Sequence, residues 1–201
     1  RTLSMSTTVL AVGAWLKNAA CLVLQGQVHW SPVHGDLNDP AACEALAQSV
    51  QAMLRQAAEA GAPVQVIAHD LHPDFFSTQL AIATADALGV PAIGVQHHHA
   101  HLAVVQAELG TCEPVLGYAL DGVGLGTDGV AWGGELLCTN GTGFERVGHL
   151  PRLALPGGDV AAREPWRMAL ALLLGRRGVA DEAESAVASE PAVSALPTSF
   201  P

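Results

Sequence analysis

Four histidines fall within five consecutive residues in the segment Gln96-His97-His98-His99-Ala100-His101. His97 and His101 are spaced i,i+4, so on a helix they share one face about 6 Å apart. Two imidazoles at that spacing make part of a metal site, and neutral imidazole suits Zn2+ or Fe2+. His98 and His101, at i,i+3, form a second allowed pair. The plain alternative is a polar helix start whose histidines find ordinary hydrogen-bond partners. A histidine pair needs a third ligand, and Asp121 is the candidate. It ends an apolar run and opens Asp121-Gly122-Val123-Gly124-Leu125-Gly126-Thr127-Asp128-Gly129. This order puts a carboxylate at a strand end. Gly122, Gly124 and Gly126 are then expected to open backbone N–H groups to a phosphate. The spacing is neither G-x-G-x-x-G nor a Walker loop. The alternative is a hairpin loop that turns at Asp128-Gly129.

Two further segments carry polar groups at strand ends. His69-Asp70-Leu71-His72-Pro73-Asp74-Phe75-Phe76-Ser77-Thr78 lies between a strand and a helix. Ligands in open α/β sheets gather at the carboxyl ends of strands, so His72 and Asp74 are candidates to join Asp121 in catalysis. The alternative is that Asp74 or Ser77 caps the helix. Lys17-Asn18 lies in the first hairpin turn and is a candidate phosphate contact, against the reading of Asn18 as a turn residue. Arg163 and Arg167, before an apolar helix, could neutralise an anion, while Trp166 between them reads as a packing residue.

The elements that must position these groups follow from spacing. Residues 8–31 read as strands with tight turns, with Gly26-Gln27 as the turn before the third strand. Asp39-Pro40 starts a helix, Asp39 as N-cap and Pro40 at its first position. Leu46, Val50, Met53, Leu54 and Ala57 recur at helical spacing, and Gly61 stops the run. Val64–Ala68 is a buried strand, 77–88 a helix ended by Gly89, Pro91–Val95 a strand, and 98–109 a helix ended by Gly110. Three meandering strands followed by alternating helices and strands predict a mixed sheet with helices on both faces. At residue 115 the strand–turn–strand pattern restarts, with a further strand at Phe144–Leu150 and a helix at 160–175. The expected division is a first lobe over 1–112, a partial second lobe over 113–176, and a disordered tail over 177–201 rich in Ala, Ser, Glu and Pro.

Composition narrows the function classes. With 9 Lys and Arg against 19 Asp and Glu, the net charge is −10, so a phosphate backbone would be repelled and nucleic acid is not an expected partner. No apolar run reaches the roughly 18 residues of a spanning helix, so no membrane is expected. Val9–Leu16 followed by Ala19-Ala20-Cys21 superficially resembles a secretion signal, but Lys17 and Asn18 interrupt it. Cys21, Cys43, Cys112 and Cys138 form no C-x-x-C pair and are read as buried, reduced thiols of a cytoplasmic protein. The chain begins with Arg and is expected to be a fragment.

The segments AVGAWLKNAACL, HDLHPDFFST, VQHHHAHLA, LDGVGLGTDGVAWGGELL and LPGGDVAAREPWRMALALL resemble, in this order, the motifs of the hydrogenase maturation carbamoyltransferases (HypF) in their Kae1/TsaD-like C-terminal region. The resemblance spans roughly residues 9–175. It implies an α/β fold of the actin/Hsp70-like (ASKHA) class: a ribonuclease-H-like lobe with a mixed sheet, then an incomplete second copy, around a nucleotide cleft. It further implies transfer of a carbamoyl group, made from carbamoyl phosphate and ATP by way of carbamoyl adenylate, to the C-terminal cysteine of a HypE-like acceptor. Dehydration there yields the cyanide ligands of [NiFe]-hydrogenase. By motif, His97 and His101 match the metal histidines and Asp121 the first acidic metal or phosphate residue. The family's acylphosphatase-like, zinc-binding and adenylating domains have no counterpart in these residues, nor does the late aspartate of its metal site. Trp15 and Ala19 stand where more polar residues flank the Lys-Asn pair. Two other readings compete: a non-catalytic binding module of the same fold, and a metal-dependent hydrolase, which lacks the H-E-x-x-H glutamate.

Overall fold

The structure is a computed structural model and describes residues 6–158 and 160–175. The chain forms two compact units, Arg1–Leu150 and Pro151–Pro201. The expected tail at 177–201 lies outside the described residues.

The larger unit opens with β1 (Val9–Ala11), β2 (Cys21–Leu24) and β3 (Gln27–Trp30). The tight turn is one residue earlier than its sequence suggested. Gln25 and Gly26 both take positive φ, 51° and 77°, the backbone of a primed two-residue hairpin turn. α1 (Pro40–Glu59) starts as expected: the Asp39 carboxylate accepts from the Ala41 N–H, and Pro40 needs no donor there. Its buried stripe is Ala42, Leu46, Val50, Met53 and Ala57, a single face at helical spacing. β4 (Val66–Asp70), α2 (Phe76–Leu88), β5 (Ala92–Val95) and α3 (His97–Leu109) follow. β4 therefore runs to Asp70, two residues past its expected end, because its ladder with β5 continues to Asp70↔Val95. Gly89 and Gly110 end α2 and α3 in the left-handed region, with φ of 67° and 68°. The start of α2 corrects the expected cap. Its N-cap is Phe75 with no side-chain capping bond, and the Ser77 hydroxyl donates instead to the Ala14 carbonyl.

The first sheet has the order β3-β2-β1-β4-β5. β1 is antiparallel to β2 and parallel to β4, and β4 is parallel to β5. This mixed sheet is the ribonuclease-H-like arrangement expected of the first lobe. Its core joins Leu10, Val12 and Leu22 to Leu46 and Val50 of α1, to Ile67 of β4 and to Ala81 of α2.

A second sheet is built from β6 (Val115–Ala119), β9 (Glu135–Asn140) and β10 (Gly143–His149), in the order β10-β9-β6, all antiparallel. Between β6 and β9, β7 (Gly124–Leu125) and β8 (Ala131–Trp132) form a short ribbon. α3 packs on this sheet: Leu102 forms a small core with Trp132 and Leu137. In the smaller unit, α4 (Val160–Arg163) is followed by helical residues 165–175. Leu170, Leu172, Leu173 and Leu174 are all exposed. Arg167 is engaged by the Glu164 carboxylate at 2.6 Å and lies over the Trp166 ring, so it is not a free anion ligand.

Cysteine burial departs from the expectation. All four thiols are free, but Cys112 is exposed and the other three are only half-buried. Among the described residues no helix is long and apolar enough to cross a membrane.

Candidate metal centre

β4 ends at Asp70, β5 runs beside it in parallel, and α3 begins two residues after β5. A parallel pair brings both carboxyl ends to the same edge, so Asp70 and the start of α3 meet there. His97 is the first residue of α3, and its Nδ1 lies 2.9 Å from Asp70 Oδ2. Asp70 is nearly fully buried and also accepts the His72 N–H at 2.8 Å. Its partners hold the His97 ring in one orientation with Nε2 pointing outward.

Nε2 of His97 lies 2.7 Å from Asp121 Oδ2, and Nε2 of His101 lies 3.3 Å from the same oxygen. Asp121 stands just past the end of β6, and its Oδ1 accepts the Gly122 N–H at 2.8 Å. One ligand atom from each of His97, His101 and Asp121 lies within 4.8 Å of the others. Two imidazole nitrogens and a carboxylate suit Zn2+ or Fe2+. A carboxylate behind a ligating histidine is the usual arrangement that sets its tautomer. The donor set thus fits a divalent metal.

The charges agree with that fit. The hydrogen bond to Asp70 raises the pKa of His97; burial opposes this, and Asp121 adds to the rise. Burial pushes the Asp70 carboxyl up, but the bonds from His97 and His72 outweigh it and hold the pKa below the usual value. Asp121 is lowered likewise: burial raises it, and the Gly122 N–H and His97 more than compensate. A doubly protonated His97 ring donates to both carboxylates, Nδ1–H to Asp70 and Nε2–H to Asp121. A cation held at Nε2 would take the place of the second of these protons.

The structure separates the other expected residues. His98 is fully buried, its Nδ1 meets the Gln96 amide at 3.1 Å, and its Nε2 has no hydrogen-bond partner among the described residues. It is not in the ligand cluster, so the His98/His101 pairing does not form. His72 stacks on Phe75 at 4.2 Å, and its Nδ1 accepts the N–H of exposed Asp74 at 3.3 Å. His72 thus approaches the cluster through its backbone bond to Asp70, and Asp74 points to solvent.

Asn18 is buried, and its amide is fully occupied. It donates to the Val12 and Ala14 carbonyls and accepts from His34 Nδ1, whose other nitrogen meets Ser49 Oγ at 2.8 Å. The Asn18 side chain, expected as a phosphate contact, here fastens the first hairpin to α1 through His34. Lys17 remains exposed beside it, with a positive φ of 48°.

The glycines serve packing more than open backbone. The Gly122 N–H goes to Asp121 and the Gly126 N–H to the Val130 carbonyl. A Cβ on Gly124 would stand 2.7 Å from the His97 Cβ, and one on Gly126 would collide with Trp132. Gly124 lets the loop close on the first turn of α3.

Three contributors are not evident from the sequence. Asp70 is one of several polar residues in its segment, its place at a strand end being the visible signal. Gln96 carries no such signal. Its Oε1 caps α3 at the His99 N–H, 2.8 Å away. Glu135, fully buried, holds Arg146 in a two-pronged ion pair at 2.6 and 2.9 Å and accepts the Gly133 N–H. Arg146 also lies 4.2 Å over the Trp132 ring, and the Trp132 indole donates to Asp128. This network braces the turn whose Gly134 N–H donates to the Asp121 carbonyl.

Comparison with known proteins gives this site its context. Residues 4–108 match the HypF Kae1-like domain, and residues 117–197 match the second subdomain of the carbamoyltransferase Kae1-like domain. A carbamoyltransferase HypF homolog of Cupriavidus necator is 61% identical over 92% of this chain, and the match spans 46% of that protein. Carbamoyltransferase HypF of Rhodobacter capsulatus is 43% identical over 88% of this chain and 24% of its own length. The chain thus spans less than half of the curated relatives it matches. A crystal structure of full-length HypF in a phosphate- and nucleotide-bound form superposes with a TM-score of 0.74 at 35% identity, over 88% of this chain and 23% of that one. HypF of T. kodakarensis superposes at 0.71 and 38% identity, over 83% and 22%. The mixed first sheet, the partial second sheet and these matches together place the chain in the HypF carbamoyltransferase family, as a Kae1-like region.

Proposed function

We propose that this chain supplies the metal-binding half of a carbamoyl-transfer centre. The reaction passes a carbamoyl group from carbamoyl adenylate to the C-terminal cysteine of a HypE-like acceptor in hydrogenase maturation. The observation that carries the reading is the convergence of His97, His101 and Asp121, backed by Asp70, in a chain of this family. In that transfer the carbonyl carbon leaves the phosphate oxygen of the adenylate, bonds to the acceptor sulfur, and AMP departs; the thiol loses its proton.

His97, His101 and Asp121 would hold a divalent Zn or Fe ion. Bound there, such an ion supplies a Lewis acid and a template for phosphate or carbonyl oxygen. Asp70 keeps the Nδ1–H of His97 pointed inward, so Nε2 presents its lone pair outward. Lys17, exposed on the loop after β1, is the remaining side chain for contact with a nucleotide phosphate. A nucleotide-bound HypF relative supports ATP or carbamoyl adenylate as the ligand class. HypE as acceptor, a small carbamoyl donor and a cytoplasmic setting belong to the same proposal, which the family membership supports.

Elemental analysis tests the reading. About one Zn or Fe per chain is expected in the wild type and none in His97→Ala/His101→Ala. Equal content in both would overturn the site. In the longer relatives, the same pair of changes is expected to abolish carbamoyl transfer to the acceptor thiol.

A further inference from the structure

Gln96 is a buried polar side chain, only 3% exposed, and every atom of its amide is used. The backbone N–H of His99 donates to Oε1 at 2.8 Å. That donor settles which end of the amide is oxygen. The nitrogen end then faces His98 Nδ1 at 3.1 Å and the Leu125 carbonyl at 3.2 Å. His98 Nδ1 must accept, so a neutral His98 ring carries its proton on Nε2.

These three bonds join two different elements. His99 and His98 belong to the first turn of α3, which carries His97 and His101. Leu125 belongs to β7 and follows Asp121 by four residues. The helix brings two candidate ligands and the loop brings the third. Their separation is therefore set where the two elements touch, and Gln96 is a side chain bonded to both that is not itself a candidate ligand. Gly124 shows how narrow that contact is, since a single added carbon there would press on His97. Metal sites tolerate errors of only about 0.5 Å in ligand placement.

We propose that Gln96 is a positioning residue of the metal centre, whose amide fixes the spacing between the His97/His101 face of α3 and the Asp121 loop. This rests on the metal reading given above. Gln96 touches no ligand atom and acts through α3 and β7. Removing it is expected to separate the ligands while leaving their chemistry intact.

Gln96→Glu is the informative variant. It keeps the length and the acceptor that caps His99, but removes both donors and turns a carboxylate oxygen toward the Leu125 carbonyl. Its added negative charge would by itself favour a cation, so weaker binding cannot come from charge. Zn2+ titration well below the thermal midpoint, which the buried carboxylate lowers, should show a Kd raised about 10- to 100-fold, with α3 helicity kept. Amide hydrogen exchange of Gly122–Gly126 should accelerate, with or without Zn2+. Gln96→Ala, which also loses the cap, should bind no better than Gln96→Glu. A Gln96→Glu chain with wild-type Zn2+ affinity and wild-type loop protection overturns the proposal. A wild-type chain that takes up no Zn2+ overturns the metal reading instead. The exchange measurement alone then upholds or overturns the tie between Gln96 and the loop.

Discussion

The two sheets start from the same plan and finish differently. β1, β2 and β3 form an antiparallel meander, and so do β6, β9 and β10. In the first sheet β1 is interior, flanked on its other side by β4 and beyond it by β5. In the second, β6 has no partner on its other edge among the described residues. The side chains follow. Leu10, Leu22 and Ile67 are fully buried, whereas Leu116 and Tyr118 of β6 and Leu120 just past it are 62%, 62% and 76% exposed. A meander becomes a core only when parallel strands and their crossover helices close over it. The second sheet instead takes its cover from α3 and stiffens itself with a buried ion pair.

That contrast can be broken at its strongest point first. Glu135 is fully buried and pairs with Arg146, whose side chain is 21% exposed, so Glu135→Ala strips a half-buried guanidinium and the Gly133 N–H of their acceptor. A loss of about 3–5 kcal/mol is expected, read by urea unfolding. The pair also predicts a pH dependence. Burial raises the Glu135 pKa, but Arg146 outweighs it and lowers it below the ordinary 4.5. A lowered carboxylate pKa contributes stability that is present above the unfolded value. That stability is lost as pH falls below about 4.5, and Glu135→Gln should flatten the acid limb. A variant as acid-sensitive as wild type would remove the pair from the account.

Leu22→Ala, in the closed sheet, should cost about 2–5 kcal/mol by opening a cavity. The same chemical change at Leu116, on the open strand, should cost within about 0.5 kcal/mol. Equal losses at the two sites would show that β6 is covered in solution. Gly124→Ala lies between these cases, at about 1–3 kcal/mol. Its added carbon meets His97 Cβ at 2.7 Å, so Zn2+ affinity should fall with it. Normal affinity would mean the loop yields without moving Asp121. The smallest effect is expected at Tyr118→Ser, within about 0.5 kcal/mol, checked by thermal unfolding.

Much of the local structure was legible. Asp39-Pro40 announced α1 because a carboxylate cap and a missing donor both suit a helix start. Gly89 and Gly110 announced two helix ends because glycine enters the left-handed region without a steric penalty. The restart at residue 115 was visible as repeated alternation. His97 and His101 were recognisable as a pair from their spacing, and Asp121 from its place at a strand end. For Asn18 and the loop glycines the sequence shows a capacity to bond but not which partner takes it. Asn18 was taken by Val12, Ala14 and His34.

By itself, then, the sequence determined most of the elements, the helix ends marked by glycine, and the residue types able to bind a metal, since each depends on neighbours within a few positions. Tertiary structure alone decided that α3 packs on the second sheet. It also decided that Asp70 stands behind His97 from 27 residues away, and that Asp121 meets both histidines. Those contacts depend on the parallel pairing of β4 with β5 and on the distance between α3 and β7. Such long-range placement is set by the burial of whole faces, and no local spacing encodes it.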